Sequence, residues 1–226
     1  MCGRFAVKTP AKSLAKMLNA DLKFESVEAR FNIAPTSTVA VARIPSNQTN
    51  AVLEGLKWGL IPVWASDPSI GNKLANARAE TITEKPSFKS SFKKQRCLVP
   101  IDGFFEWNQE TKPKQPSYFT MKDDEPFALA GIWDYWKPKA GGEGVYSFSL
   151  ITTEANAVLA KVHDRMPVIV PPDQYGEWLD PNNQDTAKLV NFLKPYPPAK
   201  MKATLVSTYV NATRNQGPQC IEPVKV

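Results

Sequence analysis

Apolar residues along this chain recur mostly with a period of two or in short unbroken runs, which is the pattern of strands. Runs rich in β-branched and aromatic residues cover Thr38 to Ile44, Leu53 to Ile61, Cys97 to Trp107, Tyr118 to Met121, Phe127 to Trp136, Tyr146 to Thr152, Met166 to Val170 and Ala203 to Val206. Helical spacing is rarer. Leu14, Met17 and Leu18 follow Thr9 and Pro10 at intervals of three and four and predict a short amphipathic helix near the start. Further helices are expected over Thr153 to Val162, Pro171 to Leu179 and Thr186 to Leu193. Strand runs succeed one another without regular helical crossovers. The pattern therefore predicts an α+β fold: one β-rich domain over residues 1–226, with a mixed or antiparallel barrel-like sheet and flanking helices.

Composition narrows the function classes. With 42% apolar and 22% charged residues the chain has the makings of a buried core rather than of a disordered segment. No apolar run approaches the roughly 20 residues needed to span a bilayer, and the start lacks a signal-peptide pattern, so a cytoplasmic, membrane-independent protein is expected. Three cysteines, Cys2, Cys97 and Cys220, without a CxxC pair, and a single histidine, His163, exclude the common zinc spacings and a disulfide framework. No metal and no cofactor are expected. The net charge of +6 suits a polyanionic partner without identifying one.

Candidate chemistry begins at the amino terminus, Met1-Cys2-Gly3-Arg4-Phe5. Removal of Met1 ahead of a small residue would leave Cys2 with a free α-amine beside its thiol. An α-amine of pKa about 7.7 to 8.0 is neutral, and so nucleophilic, far more often than a lysine of about 10.4. It can condense with an aldehyde to an imine. The thiol of the same residue can then close a five-membered thiazolidine, helped by an effective molarity of about 10⁵ M or more. The plain alternative is a small residue near a terminus with no chemical role.

Three other segments carry polar groups in places that chemistry favours. Asn76-Ala77-Arg78-Ala79-Glu80 alternates an amide, a guanidinium and a carboxylate on one face if extended. Glu106 ends the apolar run from Asp102 to Trp107, where partial burial would raise its pKa toward that of a proton-transfer group. His163-Asp164-Arg165-Met166-Pro167 places the sole imidazole where a predicted helix gives way to a strand. A solvated strand end, a surface glutamate and a structural histidine are the respective alternatives.

These segments, together with Arg30-Phe31-Asn32-Ile33-Ala34-Pro35-Thr36, Trp58-Gly59-Leu60-Ile61-Pro62 and Val210-Asn211, resemble the SOS-response-associated peptidase (SRAP) family over nearly the whole chain. The resemblance implies covalent capture of abasic sites in single-stranded DNA, with Cys2 attacking C1′ of the ring-opened sugar. It also implies that Asn76 holds the adduct, that Glu106 orients the amine and shuttles protons, and that His163 protonates the sugar ring oxygen. Arg4, Arg78 and Arg165 are expected to clamp phosphates, Trp64 and Trp107 to stack on bases, and Asn32 and Pro35 to shape the wall of the DNA-binding pocket. A monomer, associated with the nucleoid when engaged on DNA, is expected. Two readings compete with this one: an amino-terminal-nucleophile cysteine peptidase, whose thiol attacks an amide in a substrate or removes its own leading residues, with a minor lyase activity left open, and a non-covalent reader of damaged DNA in which Cys2 is inert.

Overall fold

The computed structural model describes residues 2–24 and 28–224. Five strands close into a barrel: β4 (Thr38–Arg43), β5 (Ala51–Trp58), β7 (Arg96–Ile101), β10 (Phe127–Trp136) and β11 (Val145–Glu154). Neighbours pair antiparallel from β5 through β4, β7 and β10 to β11. A parallel contact of β11 with β5, Phe148 opposite Trp58, completes the ring and makes the sheet mixed. A second, antiparallel sheet runs in the order β14 (Met201–Leu205), β9 (Gln115–Met121), β8 (Gly103–Asn108), β1 (Phe5–Val7) and β3 (Arg30–Ile33). Phe5 from this sheet meets the buried Trp58 of the barrel at 4.8 Å between ring centroids, so the two share one core.

The single apolar run expected over Cys97 to Trp107 is in fact two strands in two sheets, divided at Asp102. Its buried carboxylate accepts hydrogen bonds from the backbone N–H groups of Lys8 (2.6 Å) and Thr9 (2.9 Å) and from the Thr9 hydroxyl (2.6 Å). Three donors satisfy a group that burial would otherwise make costly. They also anchor the end of β1. At Gly103 a Cβ would lie 2.5 Å from the Tyr118 ring and 2.7 Å from the Phe119 carbonyl oxygen, so glycine lets the chain turn there against β9.

Beyond the end of β5, the free edge of β11 takes up β6 (Asn76–Arg78) in parallel, with Leu150 opposite Asn76 and Thr152 opposite Arg78. The other edge of the same stretch takes up β12 (Arg165–Pro167), with Thr152 opposite Pro167 and Glu154 opposite Arg165. The carboxyl end of β11 thus brings the Asn76 and His163 segments to one place. Remaining pieces are β2 (Ala20–Leu22) on β5, β13 (Ile169–Val170) on β10, and the short helices α1 (Ala11–Met17), α2 (Lys89–Lys94), α3 (Tyr175–Leu179) and α4 (Thr186–Leu189). α1, α3 and α4 fall where the apolar spacing predicts helix. The helix expected over Thr153 to Val162 does not form. Thr153 and Glu154 complete β11, and the Asn156 carboxamide accepts the Val158 and Leu159 N–H groups in a side-chain-capped turn that ends at His163.

A buried cation fastens the far side of the barrel. Arg96, 2% exposed, donates to the carbonyls of Phe92, Lys93, Trp178, Asp180 and Asn183 from α2, α3 and the chain just beyond them, and burial pushes its pKa down to about 10. Arg96→Ala strands these carbonyls in the interior. It should destabilise the fold by about 3 kcal/mol or more, read as a lower urea midpoint with an unchanged slope.

Candidate active site

The amino-terminal segment runs beside β8. Phe5 pairs with Phe104 and Ala6 with Gly103, and the Phe105 N–H donates to the Arg4 carbonyl at 2.9 Å, which carries the chain along β8 toward Glu106. Cys2 is fully buried in the main core. Burial is the main cause that pushes its thiol well above the usual range, and the Glu106 carboxylate adds to it. The backbone N–H of Arg4 hydrogen-bonds the sulfur and opposes the shift. Met1, whose removal would expose the Cys2 amine, lies outside the described residues.

Glu106 is 3% exposed. The period of two along β8 puts it on the face of Phe104, toward the main core, while Phe105 and Trp107 pack on the opposite face with Tyr118 and Val210. Burial raises the Glu106 pKa and the nearby His163 opposes that rise. Glu106 is therefore close enough to both Cys2 and His163 to interact electrostatically with each.

At His163, Nδ1 accepts the Arg165 backbone N–H at 3.0 Å and lies 2.9 Å from Asp164 Oδ1. One nitrogen cannot serve both at once. When Nδ1 offers its lone pair to the Arg165 N–H, the neutral ring carries its proton on Nε2; contact with the mostly exposed Asp164 needs a proton on Nδ1 instead, in the other tautomer or the charged ring. Asn76, half-buried on β6, has a buried Oδ1 that accepts no hydrogen bond among the described residues. That oxygen is an acceptor in reserve for a bound group.

On the Phe105–Trp107 face of β8 a groove of about 390 Å³ is lined by Arg4, Trp107, Gln109, Lys114 and Asn211; Arg4 lies two residues after Cys2 and Trp107 directly follows Glu106, but neither Cys2 nor Glu106 lines it. The Arg4 guanidinium lies 5.3 Å from the centre of the Trp107 ring, and its Nη1 donates to Asn32 Oδ1 at 2.6 Å and to the Val210 carbonyl at 3.1 Å. The Trp107 indole N–H donates to Asn211 Oδ1 at 2.7 Å, and the Asn211 amide reaches the Lys114 carbonyl. Both partners of the groove are held in place from behind.

The remaining residues singled out by sequence are placed as follows. Asn32 is 1% exposed and its amide nitrogen donates to the carbonyls of Val210, Ala212 and Asn215, so it orients Arg4 from within. Pro35 is half-buried in the turn before Thr36, whose φ is 75°. Arg78 is exposed on β6. Arg165 holds Glu80 in a two-point pair, Nη1 to Oε1 at 2.6 Å and Nη2 to Oε2 at 2.9 Å. Trp64 is 54% exposed on the loop after β5; that loop is tied by Ile61 and Val63 to Ser147 and Asp134, not to the amino-terminal strand. Residue types alone did not single out Gln109 and Lys114, whereas Glu80 and Asn211 lay inside quoted motifs without a role. Among the described residues no cluster of ligating side chains could hold a metal, and no helix is long and apolar enough to cross a membrane.

A model of the SOS response associated peptidase (SRAP) family matches residues 1–213. The chain belongs to the SRAP family. Its similarity to the abasic site processing protein YoqW of Bacillus subtilis is 38% identity over 98% of this chain and 99% of that one. The abasic site processing protein HMCES of Xenopus tropicalis is 33% identical over 79% of this chain, which accounts for 59% of that longer protein. Among solved structures, a protein from Bacteroides thetaiotaomicron superposes with a TM-score of 0.88 at 29% identity, covering 99% of this chain and all of that one. The barrel, the second sheet and the short helices are thus the SRAP architecture.

Proposed function

We propose that this SRAP protein captures abasic sites in single-stranded DNA as a covalent thiazolidine on Cys2. The observation that carries the reading is the company Cys2 keeps: a buried thiol coupled to the buried Glu106 carboxyl group, which is coupled in turn to the chain's sole imidazole, with the residues adjoining them in sequence, Arg4 and Trp107, lining a cationic, aromatic groove. The curated relatives are named for the processing of abasic sites, which supports the lesion proposed here.

Burial explains the order of events. A thiol held protonated is a poor first nucleophile, so after Met1 removal the Cys2 amine attacks the C1′ aldehyde. The Nε2–H of His163 hydrogen-bonds the sugar ring oxygen as the ring opens, and the proton that leaves the anomeric hydroxyl ends on that oxygen, so the imidazole stays neutral overall. Glu106 takes a proton from the attacking amine and returns one to the departing hydroxyl, so that imine formation releases one water. The Cys2 sulfur then adds to the imine carbon while its proton passes to the nitrogen, which closes the ring without further loss. Asn76 Oδ1 accepts a hydrogen bond from the adduct. Arg4, Lys114 and the exposed Arg78 grip phosphates, and Trp107 stacks on a neighbouring base, a contact worth about 1 to 3 kcal/mol. An abasic nucleotide has no base to unstack, which lowers the cost of placing it in the site.

The same protonated thiol argues against peptide cleavage as the main activity, because a cysteine peptidase needs the thiolate. The test is intact mass spectrometry of protein lacking Met1, before and after mixing with a single-stranded oligonucleotide that bears one abasic site. The expected product is protein plus DNA minus one water, resistant to heat and SDS. No such mass, from protein shown to have lost Met1, overturns the proposal.

A further inference from the structure

Glu80 and Arg165 join two pieces of the site that are each too short to be rigid alone. β6 carries Asn76 and Arg78, β12 begins at Arg165 just after His163, and each has three residues. Both dock on the carboxyl end of β11, where Thr152 pairs with Arg78 on one side and Pro167 on the other. The Arg165 guanidinium closes over this junction. It holds both oxygens of Glu80, two residues past β6, and donates from Nη2 to the Thr152 carbonyl at 2.7 Å. Only 13% of the Arg165 side chain is exposed, against 52% for Glu80. The backbone N–H of the same residue donates to His163 Nδ1.

We infer that Glu80 is a positioning residue: through its two-point grip on Arg165 it fixes the backbone N–H that holds the His163 imidazole with its proton on Nε2, and it keeps that imidazole in register with Asn76. The inference rests on the functional reading above for its consequence in catalysis, though not for the coupling itself. A two-point arginine–carboxylate pair resists rotation as a single contact cannot. Arg165 acts here as a brace.

Glu80→Ala and Glu80→Gln test this against the alternative of Arg165 as a phosphate clamp. His163 is the sole histidine, so imidazole nitrogen NMR of labelled protein reports it without assignment. The natural protein should show Nδ1 as an unprotonated, hydrogen-bonded acceptor and a protected Arg165 amide. In Glu80→Ala the imidazole should move toward the averaged signature of free neutral imidazole, and the Arg165 amide should exchange faster. At saturating DNA the single-turnover rate of adduct formation should fall about tenfold, as expected when a reacting group is misplaced. Affinity for a non-reacting tetrahydrofuran oligonucleotide should stay within about twofold of the natural value, since misplacement acts on the rate rather than on binding. Glu80→Gln, which keeps one acceptor, should recover part of the rate. An unchanged imidazole signature and rate in Glu80→Ala overturns the inference, and so does tighter oligonucleotide binding with the rate preserved, which is the result for a clamp released from its carboxylate. Absence of any adduct with the natural protein overturns the functional reading instead; the imidazole spectrum, recorded without DNA, decides the role of Glu80 either way.

Discussion

Cys2→Ser, freed of Met1, should form no adduct that survives heat and SDS, while borohydride added during the reaction should restore a DNA-linked band. Serine retains the α-amine, so the imine still forms. Its hydroxyl is a much weaker nucleophile than sulfur, and without ring closure the imine returns to amine and aldehyde. The expected loss of stable product is complete within gel detection, which makes this the largest effect in the set. Because Cys2 is fully buried, the serine hydroxyl also enters an apolar setting, and a cost of about 1 to 3 kcal/mol is expected from thermal melting. The variant is compared below its own Tm, so that the chemistry is separated from stability. A durable Cys2→Ser adduct without reductant would show that sulfur does not close the ring.

The second large effect is at Glu106. Glu106→Gln keeps the shape but can neither accept the amine proton nor return one, and adduct formation should slow by about 10² to 10⁴, the usual range for a positioned acid–base group. Stability should change in the opposite sense. Burial raises the Glu106 pKa in the folded protein, so folding favours the neutral carboxyl. Its contribution is full below the ordinary glutamate value of about 4.3 and is lost as pH rises through the higher folded value. Glu106→Gln, neutral throughout, should match the natural protein in acid and melt higher above that window. A Tm difference that does not open with pH would mean that burial is not the cost it is taken to be. A slower but more stable variant is the signature of a group kept for function.

How much of this could be read from the chain depended on whether the signal was local. The strand runs, the β-rich α+β class and α1, α3 and α4 were legible because burial imprints its period on consecutive residues. Cys97 to Trp107 read as one strand because nothing in an unbroken apolar run marks a change of sheet; Asp102 does, through partners at Lys8 and Thr9 that only the fold supplies. Thr153 to Val162 read as a helix because propensity does not register the pairing of Thr153 and Glu154 with β12, or the Asn156 carboxamide drawing the backbone into a turn. At the site, Cys2, Glu106 and His163 are candidates by residue chemistry alone, and the fold brings Glu106 into electrostatic contact with each of the other two. Their helpers were harder. Asn32 shows an amide but not that it is sealed behind Arg4, and Arg165 shows a guanidinium but not that Glu80 already holds it. Lys114 lies seven residues past Trp107 on a hairpin that only the pairing of β8 with β9 folds back to the groove.

The burial of Cys2 also sets a timetable. Its cover in the finished fold includes β8 and Glu106, which leave the ribosome long after it does. While the chain is being made, nothing covers the amino terminus, and a processing enzyme can reach the bond between Met1 and Cys2. Once β8 is complete and the first strand has docked on it, Cys2 is out of solvent. On the proposed function, the reactive group is therefore best prepared during synthesis and stored inside the protein, shielded from the free aldehydes of the cell until bound DNA delivers one.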